Sequence, residues 1–217
     1  MTGAGLVLLH TSPAHVPVFD ALRDRHHPGA VLRHLVVPQL LARARAEGPE
    51  AVAPALLEQL AEAGAARVPV LVTCSTIGAT AESLAPQLGV PVLRVDRPMA
   101  AAAVAVGPRI AVLATVESTL APTCELLAEE AGARPVSITR HLVAGAWERF
   151  EAGDVAGNLA LVASAADAVT EADADVIVLA QASMSGAADL VTTRVPVLSS
   201  PALGLAAALA SRQVAQS

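Results

Sequence analysis

Short apolar runs alternate with longer amphipathic segments along the whole chain, and this alternation predicts its elements. Eight strands are predicted at residues 5–10, 31–37, 68–73, 90–95, 109–114, 134–138, 175–180 and 195–198. Helices are predicted after Ser12 and Pro13 and at residues 40–46, 50–66, 79–88, 99–106, 117–131, 155–172, 185–193 and 201–214. Because strands and helices take turns, the pattern indicates right-handed βαβ units and parallel sheets covered on both faces.

The pattern also repeats within the chain. The tetrapeptide Val-Pro-Val-Leu occupies residues 90–93 and returns at 195–198, each time after an apolar strand, a polar loop and a short helix. Alignment of the two copies pairs Cys74 with Gln181. We therefore expect an α/β fold of two pseudo-symmetric, flavodoxin-like parallel-sheet halves with the active-site cleft between them. The first half spans residues 1–97 and includes the returning C-terminal helix at 199–217; the second spans 98–198.

Composition narrows the range of partners. The chain is 54% hydrophobic but only 1% aromatic, so it can bury a core yet has few rings on which bases could stack. Its 14 Lys and Arg stand against 20 Asp and Glu, and no basic block stands out. Nucleic acid and acidic membrane surfaces are therefore not expected as partners. The most apolar long window, residues 99–115, is broken by Gly107 and Pro108, which favours a helix followed by a strand over a membrane span.

The N-terminal sequence and the two cysteines indicate a cytoplasmic, reduced protein. Residues 1–9 have no basic segment and too short an apolar run for a signal peptide. We therefore expect Cys74 and Cys124 to be free thiols, with Cys124 structural. Neither the cysteines nor the six histidines have zinc-ligand spacing, and the sequence has no G-x-G-x-x-G or Walker loop. No metal or nucleotide cofactor is expected.

Candidate chemistry lies where predicted strands end. Cys74 follows the strand at residues 68–73, a position where crevices open in parallel sheets and where a helix N-terminus favours negative charge. A buried, unreactive thiol is the alternative interpretation. Small hydroxyls follow the same strand and two others, and they suit one or two carboxylates, although each could be only a helix cap. These hydroxyls belong to Ser75, Thr76, Thr115, Ser118, Thr119 and Ser183.

Five stretches together resemble the aspartate/glutamate racemase superfamily, which includes hydantoin racemases, maleate isomerases and arylmalonate decarboxylases. They are Thr-Cys-Ser-Thr-Ile-Gly at 73–78, Asp-Arg-Pro-Met-Ala at 96–100, Arg-Ile-Ala-Val-Leu-Ala-Thr at 109–115, Thr-Leu-Ala-Pro-Thr at 119–123, and residues 175–184. The resemblance covers almost the whole chain. It implies proton transfer next to a carboxylate of a small acid, without a cofactor, in a protein that is commonly a homodimer.

The resemblance also assigns roles to single residues. Family racemases use one cysteine from each half, and Cys74 matches the first, whereas the second falls at Gln181. Glutamine is neither acid nor base near neutral pH, so two-thiol racemisation is not expected. Ala182 and Ser183 lie beside Gln181 in the matching stretch. His10 and Glu117, each near a strand end, are candidates for the missing group or for ordinary polar positions.

We therefore predict an enzyme of this superfamily that uses Cys74. A single-thiol decarboxylase and a cis–trans isomerase are the alternatives within the superfamily. From another class, the alternative is a non-catalytic protein that binds small carboxylates. The segment around Trp147 and Glu151 is interpreted as a lid or a half-to-half contact.

Overall fold

The computed structural model describes residues 5–214, with side chains described through Ser211. Predictions for residues 1–4 and 215–217 lie outside the described residues. The strands are β1 (Leu6–His10), β2 (Leu32–Val36), β3 (Val70–Val72), β4 (Val92–Arg94), β5 (Arg109–Ala114), β6 (Ser137–Leu142), β7 (Val176–Leu179) and β8 (Val197–Ser199). The helices are α1 (His15–His26), α2 (Pro38–Glu47), α3 (Ala53–Ala65), α4 (Ser75–Ser83), α5 (Ala85–Leu88), α6 (Arg97–Val106), α7 (Glu117–Ala131), α8 (Ala146–Glu151), α9 (Val155–Asp167) and α10 (Ser200–Val214), with 3₁₀ helices at Pro49–Val52 and Ala182–Asp189.

The strands form two four-stranded sheets with the same internal order. The first runs β2-β1-β3-β4 and the second β6-β5-β7-β8. Every pairing is parallel. Each strand of the first sheet therefore has a counterpart four strands later, and the predicted α/β fold of two parallel-sheet halves is confirmed.

The chain separates into two compact units, each built on one sheet. One unit comprises the described residues up to Val95 and the C-terminal segment from Pro201. The other comprises Asp96–Ser200. The C-terminal helix α10 thus packs on the first sheet, where Leu205 and Ala208 join Leu6, Leu8 and Phe19 in one buried cluster.

Alternation of side chains along the central strands places one apolar layer on each face of a sheet. In β1, Leu6 and Leu8 pack toward α1 and α10, whereas Val7 and Leu9 pack toward α2, α3 and α4. The second sheet repeats this arrangement with β5 and β7. Strands buried on both faces need apolar residues throughout, which is why the two central strands of each sheet were evident as apolar runs.

Several predicted boundaries are wrong because local hydrogen bonding, which an apolar pattern does not report, decides them. Helix α1 begins at His15, since Ser12 closes a turn by accepting a hydrogen bond from the backbone N–H of Ala14 (3.3 Å). Helix α4 begins at Ser75, directly after Cys74, and not at residue 79. The segment around Trp147 is a short helix, α8, that packs against α9 within its own unit.

Two further differences concern the second unit. Strand β6 covers residues 137–142 and not 134–138, because it is an edge strand whose exposed side chains leave no apolar run. The helix predicted at 185–193 is a 3₁₀ helix at Ala182–Asp189.

Within the part of the chain that the structure describes, no helix combines the length and apolarity needed to cross a membrane.

Candidate active site

Cys74 lies at the carboxyl end of β3, where the chain turns into α4. It is the N-cap residue of that helix, with extended backbone angles (φ −121°, ψ 115°). Its side chain continues the face of Val70 and Val72, packs in the same apolar cluster as Ile77, and remains 9% exposed. Ser75 and Thr76 follow in the first turn and are buried. A helix N-terminus offers unpaired N–H groups and a positive dipole end, which favour an anionic ligand or a thiolate.

On the opposite face of β3, Thr73 is held by a buried hydrogen-bond chain. The Thr73 hydroxyl donates to the carbonyl oxygen of Leu9 (3.1 Å), so it accepts its 2.8 Å bond from Nδ1–H of His10. The other ring nitrogen of His10, Nε2, then accepts from Nδ1–H of His34 (2.8 Å). Nε2 of His34 lies 3.4 Å from a carboxylate oxygen of Asp20 at the surface. This chain ties the residue before Cys74 to its neighbouring strands β1 and β2.

Burial lowers the pKa values of two neighbouring histidines, His10 and His15. Burial first, then the neighbouring charges of His15 and His34, lower the pKa of His10 from 6.5 to about 3. Burial likewise lowers the pKa of His15 to about 4, and the Nδ1 atom of that ring is buried without a hydrogen-bond partner among the described residues. His10 is fully buried with both ring nitrogens engaged, so the structure leaves it no free nitrogen for a ligand.

Gln181 occupies, in the second sheet, the position that Cys74 occupies in the first. Leu9 pairs with Val72 and Leu113 pairs with Leu179, and two residues beyond those partners come Cys74 and Gln181. Gln181 is also an N-cap residue with extended backbone angles, here of the 3₁₀ helix. Its side-chain oxygen Oε1 accepts from the backbone N–H of Thr115 (2.6 Å), the Thr115 hydroxyl (3.0 Å) and the backbone N–H of Val116 (3.3 Å).

The remaining candidates of the second unit follow β5 or β7. Glu117 is exposed at the first turn of α7, whereas Thr119 is buried. The Ser118 hydroxyl is buried without a hydrogen-bond partner among the described residues. Ala182 is buried and Ser183 is half-buried. The structure therefore brings Thr115 into contact with Gln181, and it places the other five candidates beside these two only in sequence.

Two contributors were missed by the sequence interpretation. Asn158, on α9, is fully buried and donates through Nδ2 to the carbonyl oxygen of Ser183 (3.5 Å). Its signal in the sequence was one amide side chain in a mostly apolar helix. Sequence reasoning also missed Thr73 as a support for the residue that precedes helix α4. Its hydrogen bond comes from His10, which lies on another strand and in turn contacts His34. Cys124 lies buried inside α7, among apolar side chains, and no disulfide is present between the two thiols.

Among the described side chains, no group of three or more His, Cys, Asp or Glu is placed to hold a metal ion. The geometry defines an α/β protein of the doubly wound class, in which ligands bind at the carboxyl ends of parallel strands.

Comparison with known proteins gives the family. The profile described as Asp/Glu/hydantoin racemase matches residues 11–208, and the chain belongs to this family. A search of curated proteins finds no match. The predicted superfamily is confirmed.

Solved structures share the fold at low sequence identity. An aspartate racemase from Picrophilus torridus superposes with a TM-score of 0.74 at 11% identity, over 96% of this chain and 94% of that chain. A glutamate racemase from Bacillus anthracis gives 0.72 at 19% identity, over 100% and 83%. An allantoin racemase from Klebsiella pneumoniae gives 0.70 at 19% identity, over 98% and 89%. At such identities the likeness establishes the architecture.

Proposed function

We propose that this family member is a cofactor-independent enzyme that acts at the carbon next to a carboxylate of a small acid, with Cys74 as its acid/base or nucleophile. The observation that carries the proposal is the position of Cys74. It is a thiol at the carboxyl end of a central parallel strand and at a helix N-cap, followed by two buried hydroxyl residues. The family membership and the racemases among the structural neighbours support a reaction of this type.

In this reaction the Cys74 thiolate removes the proton from the carbon next to the carboxylate. The electron pair of the broken C–H bond moves into the carboxylate and forms an enediolate. Backbone N–H groups and hydroxyls at the start of α4 supply hydrogen bonds to the developing negative charge. The same thiol then returns a proton to the same face, so exchange occurs without inversion.

The position of Gln181 favours a second candidate within the family, a reaction that needs one thiol only. A carboxamide is neither an acid nor a base near neutral pH, so it cannot remove a proton from carbon or supply one to it. In a decarboxylase, loss of carbon dioxide would leave a carbanion that Cys74 protonates. In a cis–trans isomerase, the Cys74 sulfur would add to a double bond, the new single bond would rotate, and elimination would restore the thiol.

The test is deuterium incorporation from heavy water into aspartate, glutamate, a hydantoin, maleate and a malonate. Loss of carbon dioxide and double-bond geometry are followed in the same samples. Wild type is compared with Cys74→Ala, and Cys124→Ala serves as a matched control because Cys124 is also a buried free thiol. We expect the reaction to disappear in Cys74→Ala and to persist in Cys124→Ala.

Each outcome selects one interpretation. Exchange with retained configuration supports one-sided proton transfer, whereas carbon dioxide release or isomerised product supports the second candidate. Equal activity of wild type and Cys74→Ala would contradict the role of Cys74. Ligand-induced stabilisation without turnover of any compound would favour a non-catalytic carboxylate-binding protein.

A further inference from the structure

The side chain of Gln181 is only half-buried, yet three hydrogen bonds fix its carboxamide oxygen. Three donors converge on Oε1: two backbone N–H groups and one hydroxyl, at 2.6–3.3 Å. These donors come from Thr115 and Val116, at the junction of β5 and α7. Without Gln181 the two N–H groups would need another acceptor, since orphan amides at a helix start are costly to bury.

These contacts fix which end of the carboxamide faces outward. Nitrogen at the position of Oε1 would face the backbone N–H groups of Thr115 and Val116, donor against donor, so these two contacts assign the oxygen to this position. Because the carboxamide is planar, fixing Oε1 also fixes the direction of Nε2. Nε2 donates no hydrogen bond among the described residues, and Gln181 is half-buried. The carboxyl edge of the second sheet therefore presents an oriented N–H₂ donor.

Buried polar atoms without a partner are more numerous in the second unit than in the first, among the described side chains. The described side chains include four buried N or O atoms without a hydrogen-bond partner, and three of them belong to the second unit. They are the hydroxyl of Ser118 after β5, Oδ1 of Asn158, whose Nδ2 contacts the segment after β7, and the hydroxyl of Ser200 after β8. Buried polar groups are nearly always paired, with protein, water or ligand. Ser118 and Ser200 follow two strands of one sheet, and Asn158 lies on α9 and contacts the segment after β7. None of these observations depends on the Gln181 contacts.

We propose that Gln181 is a specificity-determining residue whose Nε2–H₂ group donates to a carbonyl or carboxylate oxygen of a small ligand at the carboxyl edge of the second sheet. Because Oε1 is already occupied, Gln181 offers the ligand no acceptor. This position therefore selects an oxygen acceptor and does not select an ammonium group. The inference rests on the proposed function for the size and class of the ligand, and it deepens that proposal by assigning Gln181 to binding and not to proton transfer.

The experiment observes the Gln181 side-chain amide directly by NMR of the ¹⁵N-labelled full chain. Gln181→Glu identifies the signal by its loss, and it keeps an oxygen acceptor for Thr115 and Val116 while it removes the outward donor. The probes are sodium acetate for a carboxylate, hydantoin for a neutral carbonyl, and methylammonium chloride for a cation, each against sodium chloride at equal ionic strength. Gln87→Glu is the matched control, since Gln87 is exposed and the change of charge is the same.

We expect the Gln181 amide to shift in a saturable manner with acetate or hydantoin and to remain unchanged with methylammonium. Gln181→Glu should weaken that binding by about tenfold or more, the usual effect of losing a hydrogen bond to a charged group. Gln87→Glu should bind as wild type does. A Gln181 amide that responds to none of the probes, or that responds equally to methylammonium, would overturn the proposal. Unchanged binding by Gln181→Glu would also overturn it.

The two proposals fail separately. If the Gln181 amide is silent while Cys74-dependent exchange is observed, only the role of Gln181 is wrong. If the amide responds and no exchange depends on Cys74, the proposed reaction is wrong and the binding role of Gln181 stands.

Discussion

The two sheets share one strand order and end their corresponding strands in different chemistry. β3 leads to a thiol at Cys74, and β7 leads to a carboxamide at Gln181, at the same register position and the same N-cap. A thiol can transfer a proton, whereas a carboxamide near neutral pH can only donate or accept hydrogen bonds. The comparison teaches that repetition of an architecture does not repeat its chemistry, which depends on single side chains placed on the fold.

The supporting contacts differ in the same way. In the first unit the strand residue Thr73 is tied down by His10 and, through it, by His34. In the second unit the corresponding strand residue is Ala180, which has no polar side chain. There Gln181, the residue proposed to bind the ligand, makes the contacts itself, to Thr115 and Val116. In the first sheet the hydrogen bonds therefore hold the residue before the proposed reactive group, whereas in the second they hold the proposed binding residue.

Substitutions at Cys74 and at Gln181 should change different kinetic constants, and the change at Cys74 should be the greatest of those predicted. Cys74→Ala should lower kcat by about 10²–10⁴-fold, the usual contribution of a general acid or base. Gln181→Glu should raise KM and leave kcat within a few-fold, because it removes a binding donor and no proton carrier. Steady-state kinetics on the compound that shows turnover checks both. A loss of kcat in Gln181→Glu as large as that in Cys74→Ala would break the proposed division of roles.

The second prediction is that the stability of the first unit falls as the pH is lowered, because both buried histidines with lowered pKa values belong to it. His10 and His15 have pKa values of about 3 and 4 in the folded protein and about 6.5 when unfolded. The unfolded chain therefore binds more protons below pH 6.5. Stability is present in full above that pH and is lost as pH falls toward 4, at up to about 1.4 kcal/mol per pH unit for each histidine.

Amide hydrogen exchange at pH 7.5, 6 and 5 checks this prediction. Protection of β1 and β3 should fall with pH more steeply than protection of β5 and β7. His15→Leu should reduce the slope, since it replaces a buried ring that lacks a partner for Nδ1. His141→Gln is the control for loss of a histidine, because His141 is exposed on β6 and belongs to the second unit. Equal slopes in the two units would contradict the assignment.

A third, smaller effect concerns the contribution of the three hydrogen bonds at Oε1 of Gln181 to protein stability. Gln181→Met keeps the approximate volume but removes the acceptor for Thr115 and Val116, and should destabilise the protein by about 1–3 kcal/mol. Gln181→Glu retains an acceptor and should be near wild type in stability. Denaturant unfolding of the two variants measures the difference. If both variants unfold alike, the three hydrogen bonds to Oε1 do not matter for stability.

The smallest effect compares two helices of equal length, α3 in the first unit and α9 in the second. Asp154 caps α9 by accepting from the backbone N–H of Gly157 (2.9 Å), whereas α3 has Val52 at its N-cap and no side-chain bond there. Asp154→Ala should therefore cost about 0.5–2 kcal/mol. Val52→Ala, its counterpart, acts through packing alone. Denaturant midpoints at constant m-value report both, and an unaffected Asp154→Ala would show that the cap is dispensable.

The course of the chain was largely predictable from sequence. Apolar runs predict the central strands, and the repeat of Val-Pro-Val-Leu predicts the second sheet. Edge strand β6 and the 3₁₀ helix after Gln181 were placed wrongly, because exposed side chains and local hydrogen bonds set their limits. Helix α8 was missed as a helix for a related reason, since its six residues are too few to show a period.

The family, the parallel α/β class and the residue types at the two strand ends can be read from the amino-acid sequence, because burial on both faces of a strand leaves a local apolar pattern. The contacts of those residues depend on the folded structure. Thr73 and His10 lie 63 positions apart, and Thr115 and Gln181 lie 66 apart. Their hydrogen bonds exist because parallel pairing brings distant strand ends to one edge. The orientation of the Gln181 carboxamide and the low pKa of His10 both depend on these long-range contacts, so no short segment of the sequence could predict them.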